Sequence, residues 1–213
     1  MSKPTAPKTA KRGRPEMSPA QRQDMKTRIS EVAKTLFQQE GYAKVSIRRI
    51  AKEIGCTPMT LYGYYESKID ILRTLWGDVF RDVFNRLEAI NMAADKDTDP
   101  QAHLQNLCQA YVDYWITHPE YYRLVFMAEG VTQPDVSLFI DNPDIVTKYG
   151  LFLEAIHNLE RKAQTADPKT KLDVLISAMH GIVHNKITLS GYEWSPPENQ
   201  IRYVIKGMLI FTL

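Results

Sequence analysis

The chain has 213 residues, 44% of them hydrophobic and 24% charged, enough for one large domain or for a small module joined to a larger one. Its two cysteines, Cys56 and Cys108, are too few for a disulfide framework or a four-ligand zinc site. The sequence has no apolar run of membrane-spanning length and no apolar signal core at its N-terminus, so we expect a cytoplasmic protein with no membrane contact.

Charge is divided unevenly along the chain. Residues 1–76 contain 15 basic and 7 acidic residues, whereas residues 77–213 contain 12 and 18. Since a nucleic acid attracts a positively charged surface, the first part is predicted to bind a polyanion and the second to do something else. The motifs GxSxG, GxGxxG, HExxH and the P-loop do not occur, so we expect neither catalysis nor a cofactor.

The first segment in chain order is a basic arm. Residues 1–17 are rich in Lys, Arg and Pro and have no apolar period, which predicts disorder. Within it, KRGRP (residues 11–15) resembles the core of an AT-hook, which lies along the narrow minor groove of A/T-rich DNA. Arg12 and Arg14 are therefore predicted to enter that groove. The alternative is a tail that DNA attracts nonspecifically.

Three helices are predicted to follow the arm. Residues 18–21, SPAQ, form a capping box with proline at the first helical position, and so begin the first helix. Ser46 is predicted to cap a second helix of about two turns, which Gly55 ends. Thr57 is predicted to cap a third helix that ends near Glu66. Two short helices joined by a glycine-containing turn are typical of a helix-turn-helix.

The second helix of such a motif enters the major groove of DNA. Leu61 and Tyr65 are spaced to face inward and hold this helix in place. The side chains predicted to face outward are Thr57, Met59, Thr60 and Tyr64. The residues predicted to bind DNA phosphates are Tyr62, Tyr64 and Lys68. The alternatives are ordinary packing for the tyrosines and a solvated ammonium for Lys68.

Residues 46–51, Gly55 and TLYGYYESK (residues 60–68) together resemble the DNA-binding module of the TetR family of transcriptional regulators. The resemblance covers residues 19 to about 76 and places Ser46 in the DNA-binding set. It implies that Arg48 and Thr60 touch bases. Met59 stands where the family often has a small residue, and we predict an apolar contact with a thymine methyl group.

The rest of the chain is predicted to be helical. A long helix is expected from Ser67 to about Asn91, followed by further helices with breaks at residues 95–101, 117–119, 132–143, 165–168 and 191–197. The predicted fold is therefore all-α. Its parts are the arm (1–17), a helix-turn-helix domain (18–66) and a helical ligand-binding and dimerisation domain (67–213).

The second module also resembles the TetR family, at HPEYYRLVFM (118–127) and at MHGIVH (179–184), where Met179 replaces the tryptophan of a Trp-His-Gly motif. The resemblance implies a bundle that dimerises through its last two helices and encloses a pocket for a small molecule. Aromatic residues cluster here, which is common both in pockets and in ordinary cores. The candidate ligand-binding residues are Tyr111, Tyr114, Trp115, Tyr121, Tyr122, Phe126, Phe152 and Met179.

His180 and His184 are four residues apart and so share a helix face, as metal ligands often do. Because the spacing suggests no third ligand, we expect no metal and predict helix packing near a dimer interface.

The function predicted from these features is a repressor that a small, largely apolar or aromatic ligand releases from a palindromic operator. Its predicted partners are double-stranded DNA, the effector and a second copy of the chain. In this hypothesis the ligand tilts the helix of residues 67–91 and changes the separation of the two recognition helices. The alternative is an architectural protein that binds A/T-rich DNA without sensing a ligand.

Overall fold

A computed structural model describes residues 17–95, 97–140, 143–159 and 168–210. These ranges form ten α-helices and contain no strand, which confirms the all-α prediction. The helices are α1 (Pro19–Glu40), α2 (Ile47–Ile54), α3 (Pro58–Tyr62), α4 (Lys68–Ala93), α5 (Pro100–Thr117), α6 (Pro119–Phe126), α7 (Gln133–Ile140), α8 (Pro143–Leu159), α9 (Pro168–Thr188) and α10 (Pro197–Ile210). None of the helices in these ranges is both long and apolar enough to cross a membrane. The predicted arm, with Arg12 and Arg14, lies outside the described residues except for Met17.

The first three helices begin where their capping residues predict. The hydroxyl groups of Ser18, Ser46 and Thr57 each accept a hydrogen bond from the backbone N–H three residues later. Gly55 ends α2 in the left-handed conformation, with φ of 79°. The prediction that α3 continues to near Glu66 was wrong. This helix ends at Tyr62 because the chain turns at Gly63, whose carbonyl accepts a hydrogen bond from the Arg22 side chain of α1.

The head consists of α1, α2, α3 and residues 68–76 of α4, which share one hydrophobic core. Leu61 of α3 is fully buried, and Tyr65 is buried with its hydroxyl 3.1 Å from Ser30 Oγ. Both residues face inward, as predicted. The head core also includes Leu124 of α6, a residue distant in sequence.

Helix α4 belongs to both halves of the molecule. Its 26 residues make it about 39 Å long at 1.5 Å per residue. Ile71, Leu72 and Leu75 pack into the head core, whereas Phe80 and later residues pack into the bundle core with α5, α8, α9 and α10. Helix α4 therefore links the two hydrophobic cores.

Residues 132–143, predicted as a break, contain helix α7 (Gln133–Ile140), so that prediction was wrong. The backbone N–H and the hydroxyl of Thr132 both donate to Asp135 Oδ2, at 3.1 and 2.7 Å. This pair begins the helix much as a capping box does. Its apolar residues Val136 and Phe139 then pack toward the head core.

Candidate nucleic-acid interface and apolar cleft

Helix α3 presents an exposed face near the start of α1. Leu61 is buried in the head core on the opposite face, while Met59 is 79% exposed and Tyr62 is 52% exposed. Thr57 Oγ1 lies 2.9 Å from Thr60 Oγ1, so the two threonines at the start of the helix support each other. The exposed face therefore combines an apolar side chain, a phenol and hydroxyl groups, which suit contacts with base edges and phosphates.

Two adjacent arginines of α2 differ in their environment. Arg49 is held by Glu40 at 2.9 Å and by Glu53 at 2.6 Å. Arg48 is exposed, and the described residues give it no ion pair. The charge of Arg48 is therefore available to a ligand in solution, whereas that of Arg49 is largely neutralised. Ser46, at the start of the same helix, uses its hydroxyl oxygen to cap Arg49 N at 3.1 Å.

Sequence reasoning missed two arginines of α1 that position the other helices. Arg22 Nη2 donates to Gly63 O at 2.9 Å, just after the end of α3. Arg28 Nη2 donates to Ile54 O at 3.2 Å, at the end of α2. Both therefore satisfy carbonyl groups at the ends of short helices, which have no partner within the helix itself. The regular apolar spacing of α1 gave no signal of these polar contacts.

Tyr64 is half-buried rather than fully outward. Its hydroxyl donates to Met17 Sδ at 3.1 Å, and the Arg22 guanidinium lies 5.5 Å from its ring centroid. The hydrogen bond to sulfur is weak and is easily exchanged for a stronger acceptor such as a phosphate oxygen.

Lys68, predicted to bind a phosphate, has two partners inside the head. Its Nζ donates to Tyr42 O at 2.7 Å and to Val45 O at 2.9 Å. Burial lowers the pKa of Lys68 below its usual value. Because an ammonium has three N–H donors, at most one remains for a phosphate. Lys68 therefore fixes the turn between α1 and α2 as well as carrying charge.

A cleft of about 690 Å³ lies between α4, α6, α7, α8 and α9. Its wall is mainly aromatic and aliphatic, which is typical of sites for small apolar ligands. The aromatic residues that line it are Trp76, Phe80, Phe126, Phe139, Tyr149 and His180. The only charged residues among those lining it are Lys169 and Asp173, which form an ion pair at 2.6 Å and are well exposed.

Of the eight residues predicted to bind a ligand, Phe126 lines this cleft and the other seven do not. Tyr111, Tyr114 and Trp115 lie on α5, which is packed against α4, α8, α9 and α10 and contributes nothing to the cleft wall. The remaining four are Tyr121, Tyr122, Phe152 and Met179. Phe152 and Met179 are buried in the bundle core, and Tyr121 lines a separate polar groove between α1 and α4.

A hydrogen-bonded chain of four side chains runs from the core to the cleft. Tyr122 Oη lies 3.4 Å from His180 Nδ1, His180 Nε2 lies 3.1 Å from Tyr111 Oη, and Tyr111 Oη lies 3.2 Å from Tyr149 Oη. Burial lowers the pKa of His180 to about 4, so its ring is neutral near pH 7. His184, one turn later on α9, is exposed. Among the described residues, no group of three His, Cys, Asp or Glu side chains is placed to hold a metal ion.

Two family models match the chain. The model described as bacterial regulatory proteins, tetR family, matches residues 29–75, which cover most of the head. The model described as tetracyclin repressor-like, C-terminal domain, matches residues 104–198, which cover most of the bundle.

The chain also resembles curated regulators over about half its length. It is 27% identical over 105 residues to the HTH-type transcriptional activator FasR of Mycolicibacterium smegmatis, covering 49% of this chain and 47% of that protein. It is 31% identical over 101 residues to the HTH-type transcriptional repressor SCO4008 of Streptomyces coelicolor, covering 47% of each chain. The matched part thus spans about half the length of these relatives.

Solved structures share the fold over most of the chain. The fatty acid degradation regulator FadR from Bacillus halodurans has a TM-score of 0.66 at 16% identity, covering 91% of this chain and 96% of that one. The TetR-family regulator PfmR from Thermus thermophilus has a TM-score of 0.58 at 16% identity, covering 86% and 97%.

Proposed function

Because the chain belongs to the TetR family of bacterial regulatory proteins, we propose that it is a transcriptional repressor that a small, largely apolar or aromatic ligand releases from a palindromic operator. The observation that carries the proposal is the division of α3 into two faces. Leu61 fixes one face in the head core, while Met59 and Tyr62 project from the other into solvent. A recognition helix requires this division.

The proposed base contacts come from Arg48, Met59 and Thr60. Arg48 is exposed and unneutralised, so its guanidinium can donate two hydrogen bonds to a guanine. Met59 offers a methyl group of its own to a thymine methyl. These side chains lie on α2 and α3, which pack against each other.

The proposed phosphate contacts come from Ser46, Thr57, Tyr62, Tyr64 and the third N–H of Lys68. Tyr62 is the most exposed phenol of the head, and an aromatic ring loses little conformational entropy when its hydroxyl binds a phosphate oxygen. Arg12 and Arg14 of the arm are proposed to follow the adjacent minor groove, as their AT-hook-like sequence suggests.

A two-fold dimer is proposed to form through α9 and α10. On α9 an exposed stripe repeats at intervals of three and four residues and contains no Asp, Glu, Lys or Arg. Its members are Thr170, Val174, Ser177, Gly181, His184 and Thr188. On α10, Tyr203 is 83% exposed. Burying these surfaces against a second copy would cover the exposed Val174 and Tyr203 and would present two copies of α3 to successive major grooves.

The proposed ligand response runs through α4. Trp76 lines the cleft and is also part of the head core, so a ligand in the cleft contacts a residue that supports the head. Arg73, one turn earlier, binds Asp135 of α7 at 3.1 Å, and α7 carries Phe139 into the cleft wall. A ligand that separates α7 from α4 would change the direction of α4 and favour a head spacing that fits the operator less well.

The test is selection of bound fragments from the genome of the source organism, followed by footprinting of the selected DNA. We expect a discrete palindrome whose half-sites are centred roughly one helical turn, about 34–36 Å, apart or a multiple of that distance. Protection spread broadly over A/T-rich DNA would instead identify the architectural alternative. The ligand part of the proposal is tested in the same footprinting assay, where an effector should lower the protein's occupancy of the palindrome.

A further inference from the structure

Apart from Lys169, Asp173 and Ser177, the polar side chains that line the cleft are His180 and Tyr149. Behind these residues, Tyr111 joins them and Tyr122 continues the chain from the other ring nitrogen of His180. Among the described residues the hydroxyl of Tyr149 has Tyr111 as its one hydrogen-bond partner. An O–H group both donates and accepts, so Tyr149 keeps capacity for a second partner.

The hydrogen atoms along this series of four hydrogen-bonded side chains can be assigned in two consistent ways. In one, Tyr149 donates to Tyr111, Tyr111 donates to His180 Nε2, and His180 Nδ1–H donates to Tyr122. In the other, His180 Nε2–H donates to Tyr111, Tyr111 donates to Tyr149, and the Tyr149 O–H is free to donate. A neutral imidazole permits both, because it has one donor and one acceptor nitrogen. The Tyr149 hydroxyl therefore either accepts or donates one further hydrogen bond at the cleft.

The charges at the cleft do not favour an ionised ligand. Lys169 and Asp173 form an ion pair at 2.6 Å whose side chains are mostly exposed to solvent, and the depressed pKa of His180 keeps its ring uncharged near pH 7. A carboxylate or an ammonium buried in the cleft would meet no buried opposite charge among the lining residues, and burying an unpaired charge is costly.

We infer that the effector is an uncharged, largely apolar molecule that carries a hydroxyl or carbonyl group, and that this group hydrogen-bonds to Tyr149 at the end of the Tyr122–His180–Tyr111–Tyr149 chain. The inference rests on the proposed function, since it names the class of ligand to which the repressor responds.

The test is calorimetric titration of the full chain near neutral pH with three compounds of one skeleton: 4-propylphenol, propylbenzene and 4-propylbenzoate. The phenol is expected to bind about three- to tenfold more tightly than propylbenzene, the effect of one net hydrogen bond. The benzoate is expected to bind more weakly than both. Tyr149→Phe should abolish the advantage of the phenol and leave the affinity for propylbenzene unchanged.

Tyr192→Phe is the matched control, because it removes an exposed phenol hydroxyl in the connection before α10 that does not line the cleft. Should Tyr149→Phe fail to fold, as judged by circular dichroism, His180→Leu interrupts the same chain and should also reduce the advantage. Equal affinities, tightest binding by the benzoate, or an advantage that both cleft variants retain would overturn the inference.

DNA binding is measured in parallel on the same preparations. A protein that selects a palindrome but binds none of the three compounds overturns the inference and leaves operator recognition intact. A protein that binds the compounds in the expected order but prefers no DNA sequence overturns the proposed function and supports the ligand class.

Discussion

Trp76 donates its indole N–H to the backbone carbonyl of Leu124 at 3.1 Å, and both residues are buried. This hydrogen bond joins α4 to α6 where the head meets the bundle. Since Trp76 also lines the cleft, a single side chain contacts the head core, the neighbouring helix and the space proposed for the ligand.

Replacing Trp76 with phenylalanine should weaken the response to ligand. The variant leaves the buried carbonyl of Leu124 without its donor, which should lower the free energy of unfolding by about 1–3 kcal/mol. The ligand-induced loss of operator affinity should be smaller than in the original chain, as measured by fluorescence anisotropy with labelled operator. Trp194→Phe is the control, because Trp194 donates to Leu189 O at 3.2 Å in the connection before α10 and does not line the cleft. Identical ligand responses in the two variants would contradict the role of Trp76.

Arg48 and its neighbour Arg49 offer a matched pair for testing base recognition. Arg48→Ala should weaken operator binding by about 1–3 kcal/mol and relax the preference at one base pair, because it removes an unneutralised guanidinium. Arg49→Ala breaks ion pairs with Glu40 and Glu53 and should leave the preferred sequence unchanged. Sequence selection with each variant gives the comparison. A base preference that shifts with Arg49 and not with Arg48 would refute the assignment.

Lys68→Ala should destabilise the head. The carbonyl groups of Tyr42 and Val45 lose their charged donor, and we expect the free energy of unfolding to fall by about 1–3 kcal/mol. Chemical denaturation measures this change. Lys52→Ala, at an exposed position in the last turn of α2, serves as the control and should have little effect. Equal stabilities of the two variants would show that the contacts of Lys68 are not stabilising.

Acid should destabilise the protein through His180. The unfolded chain takes up a proton near the ordinary pKa of 6.5, whereas the folded chain resists protonation until the pKa of about 4. The free energy of unfolding therefore falls as the pH drops from about 6.5 toward 4, with a slope from this group of up to about 1.4 kcal/mol per pH unit. Above pH 6.5 the ring is neutral in both the folded and the unfolded chain, so no stability is lost through this group.

His180→Leu should remove that component from the pH dependence of stability, as measured by denaturation at several pH values. His157→Leu replaces an exposed histidine on α8 that lies outside the proposed dimer surface, and it should retain this component. Parallel stability curves for the original chain and His180→Leu would show that His180 is not kept neutral by folding.

Much of the head follows from local signals in the sequence. Ser18, Ser46 and Thr57 begin helices because a hydroxyl oxygen three residues before a free backbone N–H caps it, a rule that needs no tertiary information. Thr132 and Asp135 have the three-residue spacing of a capping box, but the Pro and Asn residues around them favour a turn. Helix α7 and its cleft residue Phe139 were missed together.

The cleft is harder to predict than the head. Tyr111 and Phe126 are both aromatic residues on amphipathic helices, and nothing in their spacing shows which one is covered by core and which faces open space. That difference arises because α5 is packed against α4, α6, α8, α9 and α10, a property of the tertiary arrangement. The partners of Lys68 were missed for the same reason, since Tyr42 and Val45 are far from it in sequence.

The most direct measurement compares affinity for the selected palindromic duplex with affinity for a scrambled duplex of equal length and composition at moderate ionic strength. If the exposed face of α3 reads bases as one of a symmetric pair, the palindrome should bind at least about 10³-fold more tightly than the scrambled duplex. Equal affinity for the two would mean that the head binds DNA by charge alone, which would contradict operator recognition.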